Sequence, residues 1–185
     1  DGSILLTNRQ PLQPLPVRQL SDYLRRHASE RPQQTFLAEP KGDGWERIDY
    51  AQARARVDAV SQWLIDQQIP DDRPIFLLSE NSINHALLQL AAMQIGIPVM
   101  PVSTAYSLMS ETCAKISDLT QRFSPSVIYA ADAQRYSKAL AVAKPLSNAL
   151  VLSDNLGHEL VDAALGEAFA TTPGAAVEQA YARVT

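Results

Sequence analysis

Between Pro74 and Leu152 the chain repeats one unit: a short, unbroken apolar run followed by a longer stretch with helical periodicity. The runs are Pro74-Ile75-Phe76-Leu77-Leu78, residues 97–102, residues 126–131 and Ala149-Leu150-Val151-Leu152. Such a run has no polar side to turn to water, so it reads as a strand covered on both faces. Strands of this kind alternating with helices of roughly a dozen residues form right-handed βαβ units in a parallel sheet. The expected fold class is therefore α/β, a parallel sheet with flanking helices.

The connecting segments carry matching punctuation. Ser79-Glu80-Asn81-Ser82 supplies capping groups for a helix from about Ile83 to Gly96, with Gly96 as its C′ residue. Ser110 caps a helix through Leu119, and Asp132 begins another. Upstream, Leu20, Leu24 and Ala28 recur at four-residue spacing in a helix that must end before Pro32. Residues 35–38 and 45–48 read as the strands of a small hairpin about a turn at 40–44. Asp49 and Gln52 have the chemistry of a capping box. They open a helix with Ala53, Val57, Val60 and Leu64 on its core face. Pro11, Pro14 and Pro16 make residues 1–18 an extended arm. A weak helix is expected at 159–169, and residues 171–176 are linker-like. The chain thus divides into the arm at 1–18, an α/β unit at 19–170 and a linker at 171–185.

Composition narrows the function. The net charge of the 185 residues is −4, which leaves no basic cluster for a nucleic acid or an anionic membrane. No apolar run reaches the ~20 residues of a bilayer span. The single cysteine, Cys113, excludes an internal disulfide and fits a reducing cytoplasm. The chain starts at Asp1 without methionine and stops at Thr185 without a helix stop signal, so both ends are expected to be cut. No G-x-G-x-x-G, P-loop or G-x-S-x-G pattern occurs among the seven glycines, which disfavours a dinucleotide site, a P-loop and a serine hydrolase. His27, His85 and His158 lie too far apart in sequence to share a metal, and they read as surface or packing residues. Cys113 reads as a small core hydrophobe on a helix, and Trp45, Tyr50 and Trp63 as packing residues. The segment that resists a bland reading is Pro101-Val102-Ser103-Thr104-Ala105-Tyr106-Ser107-Leu108. There a buried strand ends in a run of hydroxyl side chains, where open α/β sheets bind ligands. It is either a Ser/Thr turn capping the next helix or part of a pocket wall.

Trp45-Glu46-Arg47-Ile48-Asp49-Tyr50-Ala51-Gln52-Ala53 resembles the first core motif of the adenylate-forming acyl- and aryl-CoA synthetases, the ANL superfamily. Leu90-Ala91-Ala92-Met93-Gln94-Ile95-Gly96-Ile97-Pro98-Val99-Met100-Pro101-Val102 resembles the second. Ser79-Glu80-Asn81-Ser82 and the run from Pro101 to Leu108 are similar to feruloyl-CoA synthetases in particular. The likeness is clearest from Trp45 to Leu108 and thins after Leu152. Asp49, Gln52 and Thr104 depart from the usual Thr or Ser, Glu and Pro. The first two keep the capping function, and the third alters the turn.

The resemblance implies the N-terminal part of an AMP-binding domain, cut just before the phosphate-binding loop. It implies a parent that makes an acyl-adenylate from an acid and ATP, then transfers the acyl group to coenzyme A, with Mg2+ as a further cofactor. The acid it implies is aromatic, feruloyl or hydroxycinnamic. Ser103, Thr104 and Tyr106 are the candidates for the substrate or coenzyme A channel. No catalytic residue, cofactor contact or metal ligand is assigned within the 185 residues, and this piece is not expected to catalyse the reaction. Its expected partner is the remainder of its own enzyme, and an apolar face left open by truncation would favour a homo-oligomer. A stand-alone, non-catalytic α/β binding module is the alternative. A small enzyme built on the hydroxyl cluster is disfavoured, because no base or nucleophile partner is in sight. The intact mass of the native gene product separates the first two: a mass several times 20.3 kDa is expected of the ligase, whereas 20.3 kDa sinks it.

Overall fold

The computed structural model describes residues 2–5, 7, 10 and 17–184. Pro11, Pro14 and Pro16, which define the expected arm, lie outside the described residues. Helix α1 (Leu20–Glu30) ends just before Pro32, and the Asp22 carboxylate accepts from the amides of Arg18 and Gln19 at its start. Strands β1 (Thr35–Lys41) and β2 (Gly44–Asp49) form an antiparallel hairpin. Its turn is only Gly42-Asp43, tighter than expected, because Gly42 takes a left-handed φ of 57°. Asp49 then caps α2 (Tyr50–Asp66) by accepting from the Gln52 amide at 2.8 Å.

The main sheet follows. Its elements are β3 (Ile75–Leu78), α3 (Ile83–Gln94), β4 (Val99–Pro101), α4 (Thr104–Leu108), α5 (Ala114–Phe123), β5 (Val127–Ala130), α6 (Ser137–Ser147), β6 (Leu150–Ser153), β7 (Ala163–Ala164), α7 (Leu165–Phe169) and α8 (Ala175–Arg183). The strand order is β4-β3-β5-β6-β7, and all pairs are parallel. Alternate side chains of β3 and β5 enter two separate cores. Ile75, Leu77, Val127 and Tyr129 meet α2 and α3 on one face. Phe76, Leu78, Ile128 and Ala130 meet α5 and α6 on the other. The α/β class and the double-sided burial of the strands are as the apolar runs predict.

A small polar latch holds α2 to α3. Ser61 Oγ lies 2.9 Å from the carbonyls of both Val57 and Ala91, and Gln94 Nε2 donates to Ser61 Oγ and to Asp58. Buried polar groups must be bonded, and here the bonds also set the contact between two helices.

The structure departs from the sequence expectations at several joints. The hydroxyl run folds into the short helix α4. Cys113 is buried as expected, but it precedes α5 with φ 50° and accepts no helical conformation; its amide donates to Ser110 Oγ. Asp132 opens a turn, its carboxylate accepting from the Arg135 amide, and α6 starts only at Ser137. In the stretch expected as a weak helix, Ala163 instead pairs with Leu152, so α7 is confined to Leu165–Phe169. Trp63 packs in the core, whereas Trp45 is 58% exposed.

Within residues 171–185, read as linker, α8 docks on α1 and α2. The Arg25 guanidinium lies 3.6 Å over the Tyr181 ring and 2.8 Å from Glu178. Tyr181 donates to Asp22, and the side chains of Arg18 and Gln19 donate to the carbonyls of Ala182, Val184 and Tyr181. These contacts span more than 150 residues of chain, so no local pattern announces them. Arg25→Ala should therefore release α8 alone. Hydrogen exchange is expected to speed up across Ala175–Arg183 by about tenfold while α3 stays protected; equal loss in both would refute this local docking. Leu77→Ala, at a fully buried position, should cost about 2–5 kcal/mol in urea unfolding.

Candidate functional site

The helices that follow β3 and β5 lie on opposite faces of the sheet, so the connections diverge beyond the carboxyl ends of these two strands. Parallel α/β sheets leave a crevice at such a divergence. Here the chain places Ser79 and Glu80 after β3, residues 102–104 after β4, Asp132 after β5 and Asp154 after β6.

Two hollows open along this edge. The larger, of about 700 Å³, lies between the ends of β3 and β4 and is lined by Ser79, Asn81, His85, Gln89, Ser103 and Thr104, among others. The smaller, of about 350 Å³, lies between α3 and the hairpin, against Leu37, Glu39 and Ile83. Asn81, His85 and Gln89 line both hollows and form the partition. Of the residues singled out in the sequence, Ser103 and Thr104 face the larger hollow. Tyr106 sits on α4 outside its lining and is 41% exposed.

The polar centre of the larger hollow is a pair that the sequence reading left as a cap and a packing residue. Ser79 Oγ and His85 Nδ1 are 2.6 Å apart. Ser82 caps α3 by accepting from the His85 amide at 3.1 Å, which fixes where the imidazole leaves the helix. Burial of the half-buried ring holds the His85 pKa below its ordinary value, against the opposing effect of a hydrogen bond to Gln89. The six-residue spacing of Ser79 and His85 matches no motif. A reader could find it only by seeing that Ser79 ends a strand while His85 lies in the first turn of the next helix.

Charged groups frame the crevice. Arg135 grips Glu80 through two hydrogen bonds of 2.7 and 3.3 Å, and this holds the Glu80 carboxyl below its ordinary range. Glu39 reaches from the hairpin to accept from the Ile83 amide at 2.7 Å, which ties the hairpin to the start of α3. Tyr129 donates to Asp154 at 2.8 Å. Although Asp154 is exposed as a residue, its carboxyl is set inward against Tyr129 and Asn84, and burial raises its pKa above 3.8 despite those hydrogen bonds. His27 lies elsewhere, against the rings of Tyr23 and Tyr50, and His158 accepts from its neighbour Leu160. No group of three metal-ligating side chains occurs among the described residues, and no helix among them is long and apolar enough to cross a membrane.

Residues 24–174 match the family of AMP-binding enzymes. No curated protein sequence matches the chain. Among solved structures, the fold is similar to a Rhodopseudomonas palustris protein assigned as a long-chain-fatty-acid CoA ligase, with TM-score 0.69 and 22% identity over 83% of this chain and 37% of that one. It is similar to a benzoate CoA ligase from Burkholderia xenovorans, with TM-score 0.64 and 18% identity over 84% of this chain and 29% of that one. A fatty acyl-adenylate ligase from L. pneumophila, crystallised with acyl adenylate and pyrophosphate, gives TM-score 0.64 and 15% identity over 86% and 26%. The chain thus spans between about a quarter and two fifths of the length of these structures.

Asp154 supplies a pH test of the crevice. Its raised pKa means that the folded protein binds a proton more tightly than the unfolded chain. Its contribution to stability is complete below about 3.8 and is lost as pH rises through the folded-state value. Asp154→Asn removes the titration. The urea midpoint of the variant should gain on the wild type between pH 3.5 and pH 7; the reverse order would show a carboxylate stabilised by its setting.

Proposed function

Because the chain belongs to the AMP-binding enzyme family, we propose that it forms the N-terminal part of an adenylate-forming acid–CoA ligase. The observation that carries this reading is the family match over residues 24–174, on a parallel sheet whose strand ends open on a polar crevice. In the proposed reaction a carboxylate attacks the α-phosphate of ATP, pyrophosphate leaves, and the thiol of coenzyme A then displaces AMP from the acyl-adenylate. Mg2+ is the proposed counter-ion of the phosphates. Adenylyl transfer rests on positioned charge around those phosphates, and no step of it is assigned to a residue of this chain.

The role proposed for the chain is structural and recognitive. Its sheet forms one wall of the active-site cleft, and the remainder of the enzyme chain is its partner. The acid is proposed to be aromatic and of the hydroxycinnamate kind, on the likeness of residues 79–82 and 101–108 to that branch. Ser103 and Thr104, on the larger hollow, and Tyr106, on the exposed side of α4, are proposed to meet the acid or the thiol. Cys113, buried and unpaired in a disulfide, is compatible with a reducing compartment.

The test is acid-dependent AMP formation with ATP and coenzyme A. The product of the complete gene should form AMP with a hydroxycinnamic acid, and residues 1–185 alone should form none. In the complete protein Tyr106→Ala should raise the KM for acid or coenzyme A by about tenfold, the scale of one lost contact of about 1.4 kcal/mol. Unchanged constants would remove α4 from the cleft, and AMP formation by the short chain would overturn the division of labour.

A further inference from the structure

The Ser79–His85–Gln89 chain has a direction. Gln89, four residues after His85 on the same helix, hydrogen-bonds the imidazole in the way that favours its protonated form, so the ring is the donor and the Gln89 side-chain oxygen the acceptor. Nδ1 faces Ser79 Oγ at 2.6 Å, which leaves Nε2 as the nitrogen bound to Gln89. In the neutral ring one nitrogen carries the proton and the other accepts. With the proton on Nε2, Nδ1 must accept, and the Ser79 hydroxyl must donate to it. The only hydrogen of that hydroxyl is then used. What Ser79 turns toward the hollow is a lone pair, fixed as an acceptor by two residues behind it.

The hollow around this acceptor carries no free charge. Its wall offers the Asn81 amide, the hydroxyls of Ser103 and Thr104 and the apolar surfaces of Pro101 and Val102. Its one carboxylate, Glu80, is held by Arg135. A site of about 700 Å³ is of the size that takes a small organic molecule. Uncharged walls with one preset acceptor select a neutral hydrogen-bond donor. A ligand that brings an ether or a bare C–H to the same place leaves Ser79 desolvated and unpaired, the situation that gives polar sites their discrimination.

We propose that Ser79 is a specificity-determining contact which accepts a hydrogen bond from an uncharged hydroxyl or amide N–H of the ligand, with His85 and Gln89 as its positioning residues. This inference rests on the acid–CoA ligase reading for the choice of ligands. There the donor is either the ring hydroxyl of the aromatic acid or an amide of the pantetheine arm.

Residues 1–185 with 15N-labelled histidine test it by NMR at pH 7. In the first measurement His85 should show Nε2 protonated and Nδ1 bare; a proton on Nδ1 overturns the assignment of Ser79 as an acceptor. In the second, 4-hydroxycinnamic acid, 4-methoxycinnamic acid, cinnamic acid and pantetheine are titrated separately. At least one of the two donors, 4-hydroxycinnamic acid or pantetheine, should perturb Ser79 and His85. The hydroxy acid, if it is the ligand, should bind about three- to tenfold more tightly than its methoxy and unsubstituted relatives, the range of one neutral hydrogen bond. Ser79→Ala should abolish that preference and leave cinnamic acid binding unchanged; for pantetheine it should weaken binding by the same factor. Ser79→Thr, which keeps the hydroxyl, should retain the preference. Equal affinity for all three acids together with no response to pantetheine overturns the proposal, as does a preference that survives in a folded Ser79→Ala protein. The titration reads binding alone, so it can fail while the complete gene product forms AMP, and it can succeed where AMP formation fails.

Discussion

Everything else in the structure leans on the burial of β3. Ile75, Phe76, Leu77 and Leu78 are all fully buried, with β4 and β5 hydrogen-bonded to their two sides and a different core on each face. Burying each such side chain contributes about 1.5–3 kcal/mol before the cost of ordering the chain. A strand with no exposed side can occupy only the interior of a covered sheet. Its position decides which helices lie above and below, and hence where the chain emerges at Ser79.

That emergence links fold to chemistry. Because α3 leaves on one face and α6 on the other, the carboxyl ends of β3 and β5 are not roofed by a common helix. The hydroxyl, imidazole and amide groups of Ser79, His85 and Gln89 stand at this opening, two hollows meet at the same partition, and the Glu80–Arg135 pair spans it. The hairpin is joined to the edge through Glu39, whose carboxylate holds the first amide of α3. An element that looks peripheral in the chain order thus becomes a wall of the smaller hollow. At the other side of the molecule the aromatic and charged contacts of α8 tie the last described residues back to α1.

The strands were readable because apolar runs of this density have one physical solution, and the capping of α2 and α3 was readable because Asp49 and Ser82 act within three residues of themselves. The edges of elements were less so. The extent of α6, the division of the hydroxyl segment into α4 and a left-handed Cys113, and the pairing of Ala163 with Leu152 all answer to neighbours that are remote in sequence. Of the candidate site, the strand end at Ser103 and Thr104 was visible as a cluster of hydroxyls. His85 was not, since a lone histidine on an amphipathic helix carries no signal of what lies across the β3–α3 turn.

The sequence by itself determined the α/β class, the number of apolar strands from Ile75 to Leu152 and the likeness to the adenylate-forming enzymes, because periodicity and short-range capping act along the chain and leave a local record. Only the tertiary structure decided the strand order, the docking of α8 as a helix and the pairing of Ser79 with His85. Those depend on which surfaces meet after the chain has crossed the sheet, and contacts made through space between remote residues impose no spacing that a linear reading can detect.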